Sequence, residues 1–262
     1  RADVLAASPN RISRVMREPN DPRYVSGELW GLSAIHAPEA WDATTGSSST
    51  DVYVAVADTG IYAAHEDLQP NLDTRPSRNF ARAEGVAANS SDYIDVHGHG
   101  THVAGTIGAV GNNGLGVAGV SWTTRLIVLR IMGADGSGPD SWTVEALNYL
   151  VSLLRTNPQM KVAALNLSLG FYADIAPSTV QSQRDPLWLV YKILDNMDRT
   201  VIVVAAGNEG LEVGRPAPYD DPRDPSAPVF RRGEYCYPAS FTGLKNMIVV
   251  GAAASNGGAA SF

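Results

Sequence analysis

The sequence predicts an α/β fold, a three-layer sandwich in which a mostly parallel sheet lies between helices on both faces. The first observation is a set of apolar runs typical of strands buried on both faces, at residues 52–57, 126–132, 162–169, 201–206 and 248–254. The second is helical spacing of apolar residues between those runs, at 101–110, 141–155 and 186–198. Alternating strands and helices are typical of a parallel sheet covered by helices.

Composition excludes several classes of protein. The formal net charge of −7 argues against a nucleic-acid-binding surface, which would be basic. No run approaches the roughly 18–20 apolar residues of a membrane span, so we expect none. The single cysteine, Cys236, excludes an intrachain disulfide and a cysteine-based metal site. The length of 262 residues fits one large or two small domains.

The remaining segments are predicted from composition and turn signals. Residues 30–43 have the pattern of a helix, and residues 4–5 and 12–15 could form short strands. Two stretches are predicted to be loop-like: the segment 171–185 is mixed in composition, and the segment 210–236 is rich in Pro, Asp and Arg, which indicates a long surface excursion. A turn cluster at Pro19 to Pro22 predicts a boundary between an extension, 1–18, and the main domain, 19–262.

Polar residues stand where the predicted strands end. Asp58 ends one strand, Ser168 ends another and Asn208 follows a third, while His99 begins a helix. Ligands of parallel sheets bind outside the carboxyl ends of the strands. Neither a G-x-G-x-x-G motif after the first strand nor a P-loop occurs, so a flavodoxin-like nucleotide binder is supported only by the alternation of elements.

Three of the five histidines fall within His97 to His102. A metal site would favour spacing of four on one helical face, whereas the spacings here are two and three on a glycine-broken stretch. A hydrogen-bonded structural histidine is a second interpretation. The third is a general base, which needs an orienting carboxylate and a nucleophile from elsewhere in the chain.

Three motifs follow one another along the chain: Val56-Ala57-Asp58-Thr59-Gly60, then His99 to Thr106 (His-Gly-Thr-His-Val-Ala-Gly-Thr), then Ala205 to Gly210 (Ala-Ala-Gly-Asn-Glu-Gly). In sequence and in order they resemble the signatures of the subtilisin-like serine peptidases, thermitase-like branch. The segments Gly133 to Gly138 and Asn166 to Gly170 also resemble that family. The resemblance runs from about Asn20 to the end and is carried by five ordered segments.

The resemblance implies a role for three side chains. Asp58 resembles the carboxylate that orients the catalytic imidazole, and His99 resembles the general base. Asn208 resembles the side chain that donates a hydrogen bond to the oxyanion. By the same resemblance His102 is a structural helix residue, and His97 lies outside the matched motif, so we expect no role for it.

The resemblance also implies that extended polypeptide substrates lie between two edge segments as an added strand. The substrate-binding residues it implies are Gly136, Ser137, Gly138, Ser168, Leu169, Gly170, Ala206 and Gly207. Phe171 stands where the family often has another glycine, so the shape of the primary pocket is left open. Glu209 would lie at the rim of that pocket.

A structural calcium ion is the next implication. Asp67 matches a family calcium ligand, and Asp21 matches a second one in the thermitase-like branch. The loop 110–117 matches the third element. Its ligands would be the carbonyls of Val110, Leu115 and Val117 and the side chain of Asn113, an all-oxygen set suited to Ca²⁺. A surface loop without metal is the alternative.

The family nucleophile, carried as Gly-Thr-Ser-x-Ala, does not occur in this sequence. We therefore expect the fold to be incomplete at its carboxyl end, with the serine outside this chain, on a further segment or on a second chain. A non-catalytic peptide-binding pseudo-protease is the alternative. The extension 1–18 resembles the tail of an inhibitory propeptide, with a simple extension as the alternative. The resemblance implies a secreted or cell-surface protein, since most members are exported.

Overall fold

The computed structural model describes residues 9, 17–47, 52–82, 89–216 and 233–260. Within them, six strands form one sheet: β1 (Val52–Asp58), β2 (Arg78–Asn79), β3 (Leu126–Arg130), β4 (Lys161–Leu167), β6 (Val201–Ala205) and β8 (Met247–Val250). The order across the sheet is β2-β3-β1-β4-β6-β8, and every pairing is parallel. The predicted parallel sheet is therefore confirmed.

Helices cover both faces of this sheet, as predicted. The described helices are α1 (Pro22–Val25), α2 (Trp30–Ala34), α3 (Ala37–Trp41), α4 (His99–Gly108), α5 (Asp140–Thr156), α6 (Pro177–Ser182) and α7 (Pro186–Met197). Helices α5 and α7 share one hydrophobic cluster with one sheet face, whereas α4 belongs to a second cluster on the other face. The sheet is thus the middle layer of a three-layer α/β sandwich.

The larger cluster explains why the apolar runs form strands. Alternate residues of the strands, such as Ala55, Leu165 and Ile202, are fully buried beneath α5 and α7. In α5 the residues Leu147, Leu150 and Leu154 recur at helical spacing and are buried there. Burial of both strand faces is what makes the central runs continuously apolar.

Two segment predictions are wrong in detail. The helix predicted over 30–43 is broken, because His36 adopts a left-handed φ of 58° and Pro38 lacks the N–H that would continue the first helix. The mixed segment 171–185 contains a strand, β5 (Phe171–Ala173), and α6. Strand β5 pairs antiparallel with β7 (Tyr235–Tyr237), which lies at the end of the predicted excursion.

Several predictions fall wholly or mostly outside the described residues. The short strands at 4–5 and 12–15 lie there, as do residues 217–232 of the excursion. Of the extension 1–18, only residues 9, 17 and 18 are described.

One part of the sheet carries exposed apolar side chains on the same face as α4. Val201 is 38% exposed, Ile248 is 52% exposed and Val250 is 50% exposed, while their strand neighbours Ile202 and Val204 are buried against the opposite layer. Parallel sheets are normally covered on both faces. Within the described residues, no helix covers this region of β6 and β8.

Among the helices that the structure describes, none is both long enough and apolar enough to cross a membrane.

Candidate active site

The predicted site residues lie at the carboxyl edge of the sheet. Asp58 is the last residue of β1, Ser168 follows β4 directly, and Asn208 is three residues beyond β6. The chain moves from β1 to β3 on one side and then to β4 on the other, so the strand order reverses beside β1. Such a reversal opens a crevice at the carboxyl ends of the strands, where ligands of α/β sheets bind.

The side chains of Asp58 and His99 are in contact, although 41 positions separate them. The Asp58 side chain is only 1% exposed, and its Oδ1 lies 2.7 Å from His99 Nδ1. An ionised carboxylate only accepts hydrogen bonds, so Nδ1 carries the proton and Nε2 is left as the acceptor. The His99 side chain is 45% exposed, so the ring is accessible from solvent.

The two oxygens of the Asp58 carboxylate differ in their hydrogen bonding. Oδ1 accepts a second hydrogen bond from the backbone N–H of Thr59 at 2.7 Å. Oδ2 is buried and accepts no hydrogen bond from the described residues. The Asp58 carboxylate thus keeps spare acceptor capacity beside the His99 ring.

One residue of this region, Asp95, was not singled out from the sequence. Asp95 accepts hydrogen bonds from the backbone N–H groups of Gly98 at 2.8 Å and Thr101 at 2.9 Å, at the beginning of α4. The ring of His97 lies 6.3 Å from that of His99, centroid to centroid. A carboxylate just before a helix start is a signal that could have found Asp95.

Asn208 stands on a turn held by a neighbouring carboxylate. Its backbone N–H donates to Glu209 Oε2 at 2.7 Å, and the Tyr172 hydroxyl donates to the same oxygen. Burial, and then the hydrogen bond to Glu209, raise the pKa of Tyr172. Gly207 has a φ of 95°, and a Cβ there would meet the Tyr172 hydroxyl, so the turn requires glycine. The side chain of Asn208 makes no hydrogen bond with another described residue, which leaves its amide available.

The first predicted edge segment, Gly136 to Gly138, is a tight turn beside the histidines. Gly133 N–H donates to the carbonyl of Ser137 at 2.8 Å, and the Ser137 hydroxyl donates to Asp135 at 2.7 Å. Gly136 has a φ of 74°, and a Cβ there would lie 2.8 Å from His97 Nε2. His97 therefore lies close to this segment as well as to His99.

The second predicted segment, Ser168 to Gly170, continues from β4 into β5. The Ser168 hydroxyl accepts a hydrogen bond from Asn166 Nδ2 at 3.0 Å. A Cβ at Gly170 would lie 3.2 Å from the carbonyl oxygen of Tyr237, so the backbones approach closely there. Ala206 is tied to β8, since its N–H donates to the Val250 carbonyl at 2.9 Å.

The predicted calcium residues converge on one place, remote in sequence. Asp21 is fully buried and accepts from Asn112 N–H at 2.6 Å. Asp67 is 1% exposed and accepts from Asn113 Nδ2 at 2.8 Å and from Val117 N–H at 2.9 Å. The N–H of Val110 donates to the Asp67 carbonyl at 2.8 Å.

The chemistry of this donor set fits Ca²⁺. Within the described residues, neither Asp21 nor Asp67 forms an ion pair with a basic side chain, and buried carboxylates are costly without a compensating charge. No group of three or more His, Cys, Asp or Glu side chains among those residues could hold a metal ion. The predicted shell therefore depends on carbonyl and amide oxygens, including those of Leu115 and Val117, as Ca²⁺ allows.

Comparison with known proteins identifies the family. Residues 49–262 match the Subtilase family, Peptidase S8. The chain belongs to the subtilase family. The predicted subtilisin-like peptidase fold is confirmed by that match and by the parallel sheet.

Three relatives illustrate the similarity of this subtilase. The M-protease of Shouchella clausii is 34% identical over 261 residues, which is 99% of this chain and 54% of the relative. The major intracellular serine protease of Bacillus subtilis is 34% identical over 73% of this chain and 54% of its own length. The thermophilic serine proteinase of Bacillus sp. strain AK1 is 32% identical over 83% of this chain and 48% of its own length. The chain spans about half the length of these curated relatives.

Proposed function

We propose that this subtilase chain supplies most of the active site of a serine endopeptidase, in which Asp58 and His99 activate a serine that lies outside the chain. The observation that carries the proposal is the 2.7 Å contact between the buried Asp58 carboxylate and His99 Nδ1. That contact fixes the tautomer that leaves Nε2 as a base.

Catalysis would follow from this geometry in two proton transfers. His99 Nε2 removes the serine hydroxyl proton while the oxygen attacks the scissile carbonyl carbon. The imidazolium, stabilised by Asp58, then gives that proton to the leaving amine nitrogen, so the peptide bond breaks and an acyl-enzyme remains. Water hydrolyses the acyl-enzyme by the same sequence, and the serine is regenerated.

Asn208 would donate a hydrogen bond from its side-chain amide to the oxyanion of the tetrahedral intermediate. The Glu209 carboxylate holds the backbone of Asn208 at 2.7 Å, which supports a fixed position for that donor. A preorganised donor is more effective than a mobile one because it needs no reorganisation during the reaction.

The substrate would be a polypeptide in an extended conformation. We propose that Gly136–Gly138 and Ser168–Gly170 flank it as two edges and bind it chiefly through backbone hydrogen bonds. Glycines at both edges, with backbone contacts too close for a Cβ, support an approach of main chain to main chain.

The exposed apolar face of β6 and β8 supports a further segment in the active enzyme. Val201, Ile248 and Val250 are each more than a third exposed, and soluble proteins rarely expose contiguous apolar surface of this kind. We propose that the segment carrying the nucleophile, on the same chain or on a second one, covers this face.

The competing function is a non-catalytic peptide-binding module with the same cleft. It predicts saturable binding of extended peptides without labelling by a serine-directed phosphonate. An intact His99–Asp58 pair favours the catalytic proposal, because peptide binding alone does not need an oriented imidazole.

Three further parts of the proposal are independent of catalysis. We propose a structural Ca²⁺ held by Asp21, Asp67, Asn113 and the carbonyls of the 110–117 loop. We also propose that residues 1–18 are the tail of an inhibitory propeptide. Export is proposed from the family resemblance alone. Two relatives, from Bacillus subtilis and Paenibacillus polymyxa, are named intracellular proteases.

The test of the catalytic proposal is the variant His99→Ala in the protein that carries the nucleophile. Hydrolysis of unfolded casein should fall by about 10⁴- to 10⁶-fold, the range known for triad residues of subtilisin itself. Labelling by a fluorophosphonate should fall with it, while peptide affinity should stay within about threefold. Full activity in this variant would refute the role of His99.

A further inference from the structure

We propose that Asp95 is a positioning residue that ties the start of α4 to the end of β1 and thereby holds His99 in register with Asp58. The inference rests on the proposed function, because it concerns the geometry of the proposed base. Asp95 touches neither ring nitrogen of His99, so its effect is exerted through the backbone around that residue.

The Asp95 carboxylate gathers five donors from two parts of the chain. Oδ1 accepts from the N–H groups of His97 at 3.0 Å and Gly98 at 2.8 Å, which directly precede His99. Oδ2 accepts from the N–H of Thr101 at 2.9 Å and from its hydroxyl at 2.6 Å, two residues after His99. The backbone on both sides of the base is therefore held by one side chain.

The fifth donor connects this loop to the strand that carries Asp58. The hydroxyl of Thr59 donates to Asp95 Oδ1 at 2.9 Å and accepts from the N–H of Gly100 at 2.8 Å. Thr59 is the residue after Asp58, and its own N–H donates to Asp58 Oδ1. Asp95 and Asp58 thus both connect the end of β1 to the start of α4. Asp95 does so through backbone and hydroxyl groups, and Asp58 does so through the His99 imidazole.

The packing at this junction leaves little freedom. A Cβ at Gly100 would collide with the carbonyl oxygen of Gly60, so the first turn of α4 lies directly on the chain beyond β1. The N–H of Asp95 also donates to the carbonyl of Ile61 at 3.2 Å. With such close approach, a small rotation of the helix start would change the distance between His99 and Asp58.

The charge of Asp95 is suited to this position. Burial raises the pKa of Asp95, but the hydrogen bonds from Thr101, Gly98 and Thr59 together outweigh it and lower the pKa to about 2. The carboxylate is therefore ionised at neutral pH, and a negative charge at a helix N-terminus is favourable. All five of its partners are donors, so no neutral amide can replace it fully.

Asp95→Asn is the informative change. The amide would offer one acceptor oxygen and turn an N–H₂ group toward backbone or hydroxyl donors, so some of the five hydrogen bonds to this side chain must break. We expect the backbone of residues 97–101 to loosen and the hydrogen bond between His99 Nδ1 and Asp58 to open more often.

The experiment follows the Nδ1 proton of His99 by NMR in the protein that carries the nucleophile. In the unmodified chain this proton should give a low-field resonance, assigned by its absence in His99→Ala. In Asp95→Asn its exchange with water should accelerate at least about tenfold, because local opening becomes easier. A structural role remote from His99 would not move this signal.

Asp195→Asn is the matched control. Asp195 is fully buried, whereas Asp95 is half-buried, and it likewise accepts two backbone N–H groups, those of Lys245 and Asn246, both at 2.7 Å. These residues precede β8, at the opposite edge of the sheet from His99. Asp195→Asn should lower the melting temperature without changing the His99 resonance.

Thr59→Val provides a second test should Asp95→Asn fail to fold. It removes one donor to Asp95 and the acceptor for Gly100 while keeping the shape of the side chain, so exchange should accelerate at least about threefold.

The outcomes separate the two proposals. An unchanged resonance in folded Asp95→Asn, or in Thr59→Val if that is the variant that folds, would overturn the role of Asp95 and leave the Asp58–His99 pair intact. A change of the same size in Asp195→Asn would also overturn it. Absence of the resonance from the unmodified chain would contradict the pair itself and, with it, this inference.

Discussion

At the scale of single residues, two buried or half-buried carboxylates act on His99 in different ways. Asp58 contacts the imidazole directly and determines which ring nitrogen carries the proton. Asp95 contacts only backbone and hydroxyl groups around it, including those of Gly98, Thr59 and Thr101. A fixed hydrogen bond needs a fixed main chain, so we expect the orientation of the His99 ring to depend on both carboxylates.

The acid limit of the folded chain should depend on Asp95. Its folded pKa of about 2 lies below the value of about 3.9 for an unfolded Asp, so the ionised carboxylate stabilises the fold above about pH 4. This contribution is lost as pH falls through about 2, because the folded state then takes up the proton as well. The melting temperature of the unmodified chain should exceed that of Asp95→Asn at pH 7, and the gap should close between pH 4 and pH 2 in thermal scans.

Asp92→Asn is the control for that measurement. Asp92 is exposed, and its carboxylate accepts no hydrogen bond from the described residues. Asp92→Asn and the unmodified chain should not differ in melting temperature by an amount that decreases between pH 4 and pH 2. A constant gap for Asp95→Asn across the same range would contradict the assignment of Asp95 as a strongly hydrogen-bonded carboxylate.

The sequence was sufficient for residues that belong to a contiguous motif and insufficient for those that meet only in the fold. Asp58 and His99 were paired correctly because both stand in recognisable motifs. The contacts of Asp95 with Thr59, and of Tyr172 with Glu209, join positions 36 and 37 apart. His97 was set aside because it lies outside the matched motif, and its proximity to Gly136 joins two separate loops, which no local pattern reveals.

At the scale of elements, the start of α4 and the end of β1 form one unit. Gly100 allows the first helical turn to rest on the backbone of Gly60, and Thr59 bonds the same turn. In a free helix, alanine would be favoured over glycine by about 0.5–1 kcal/mol. Here the contact with Gly60 reverses that preference.

Gly100→Ala should therefore destabilise the chain although it lies within a helix. The added Cβ collides with the Gly60 carbonyl oxygen, so strand and helix must separate, and we expect a loss of roughly 1–3 kcal/mol. Gly105→Ala in the same helix is the matched control, because a Cβ there meets nothing within 4 Å. It should be neutral or stabilise by up to about 1 kcal/mol in denaturant unfolding of the 262-residue chain. Equal effects of the two variants would contradict the close approach.

Element prediction succeeded where one physical signal dominated. The central strands were found because burial on both faces makes them apolar throughout, as in Val52–Asp58 and Leu126–Arg130. The pairing of β5 with β7 was missed because each strand has only three residues and their paired centres, Tyr172 and Cys236, are 64 positions apart. Helix 30–43 was overextended because its apolar spacing continues across the left-handed His36.

At the scale of the whole molecule, the predicted calcium residues join three distant segments. Asp21 belongs to the chain before α1, Asp67 follows β1, and the loop 110–117 connects α4 to β3. A cation bound there would cross-link the amino-terminal segment to the layer that carries His99. Because an ion that binds only the folded state stabilises it, its removal should be visible in global unfolding.

Chelation should lower the melting temperature of the chain. With free Ca²⁺ at about 100 times its Kd the expected stabilisation is about 2.7 kcal/mol, which corresponds to roughly 5–10 °C for a chain of this size. The comparison is between thermal scans in Ca²⁺ and in excess EGTA. In Asp67→Asn, which removes one of the two buried carboxylates, the difference between the two scans should vanish.

Asp73→Asn serves as the control for that comparison. Asp73 is also a buried carboxylate, but Arg75 at 2.8 Å and Arg125 at 2.9 Å compensate its charge, and these hydrogen bonds and charges lower its pKa. Its variant should melt earlier than the unmodified chain in both buffers and should keep the shift caused by EGTA. The unmodified chain melting at the same temperature in Ca²⁺ and in EGTA would contradict the calcium site, since uncompensated charges at Asp21 and Asp67 would then be tolerated without a cation.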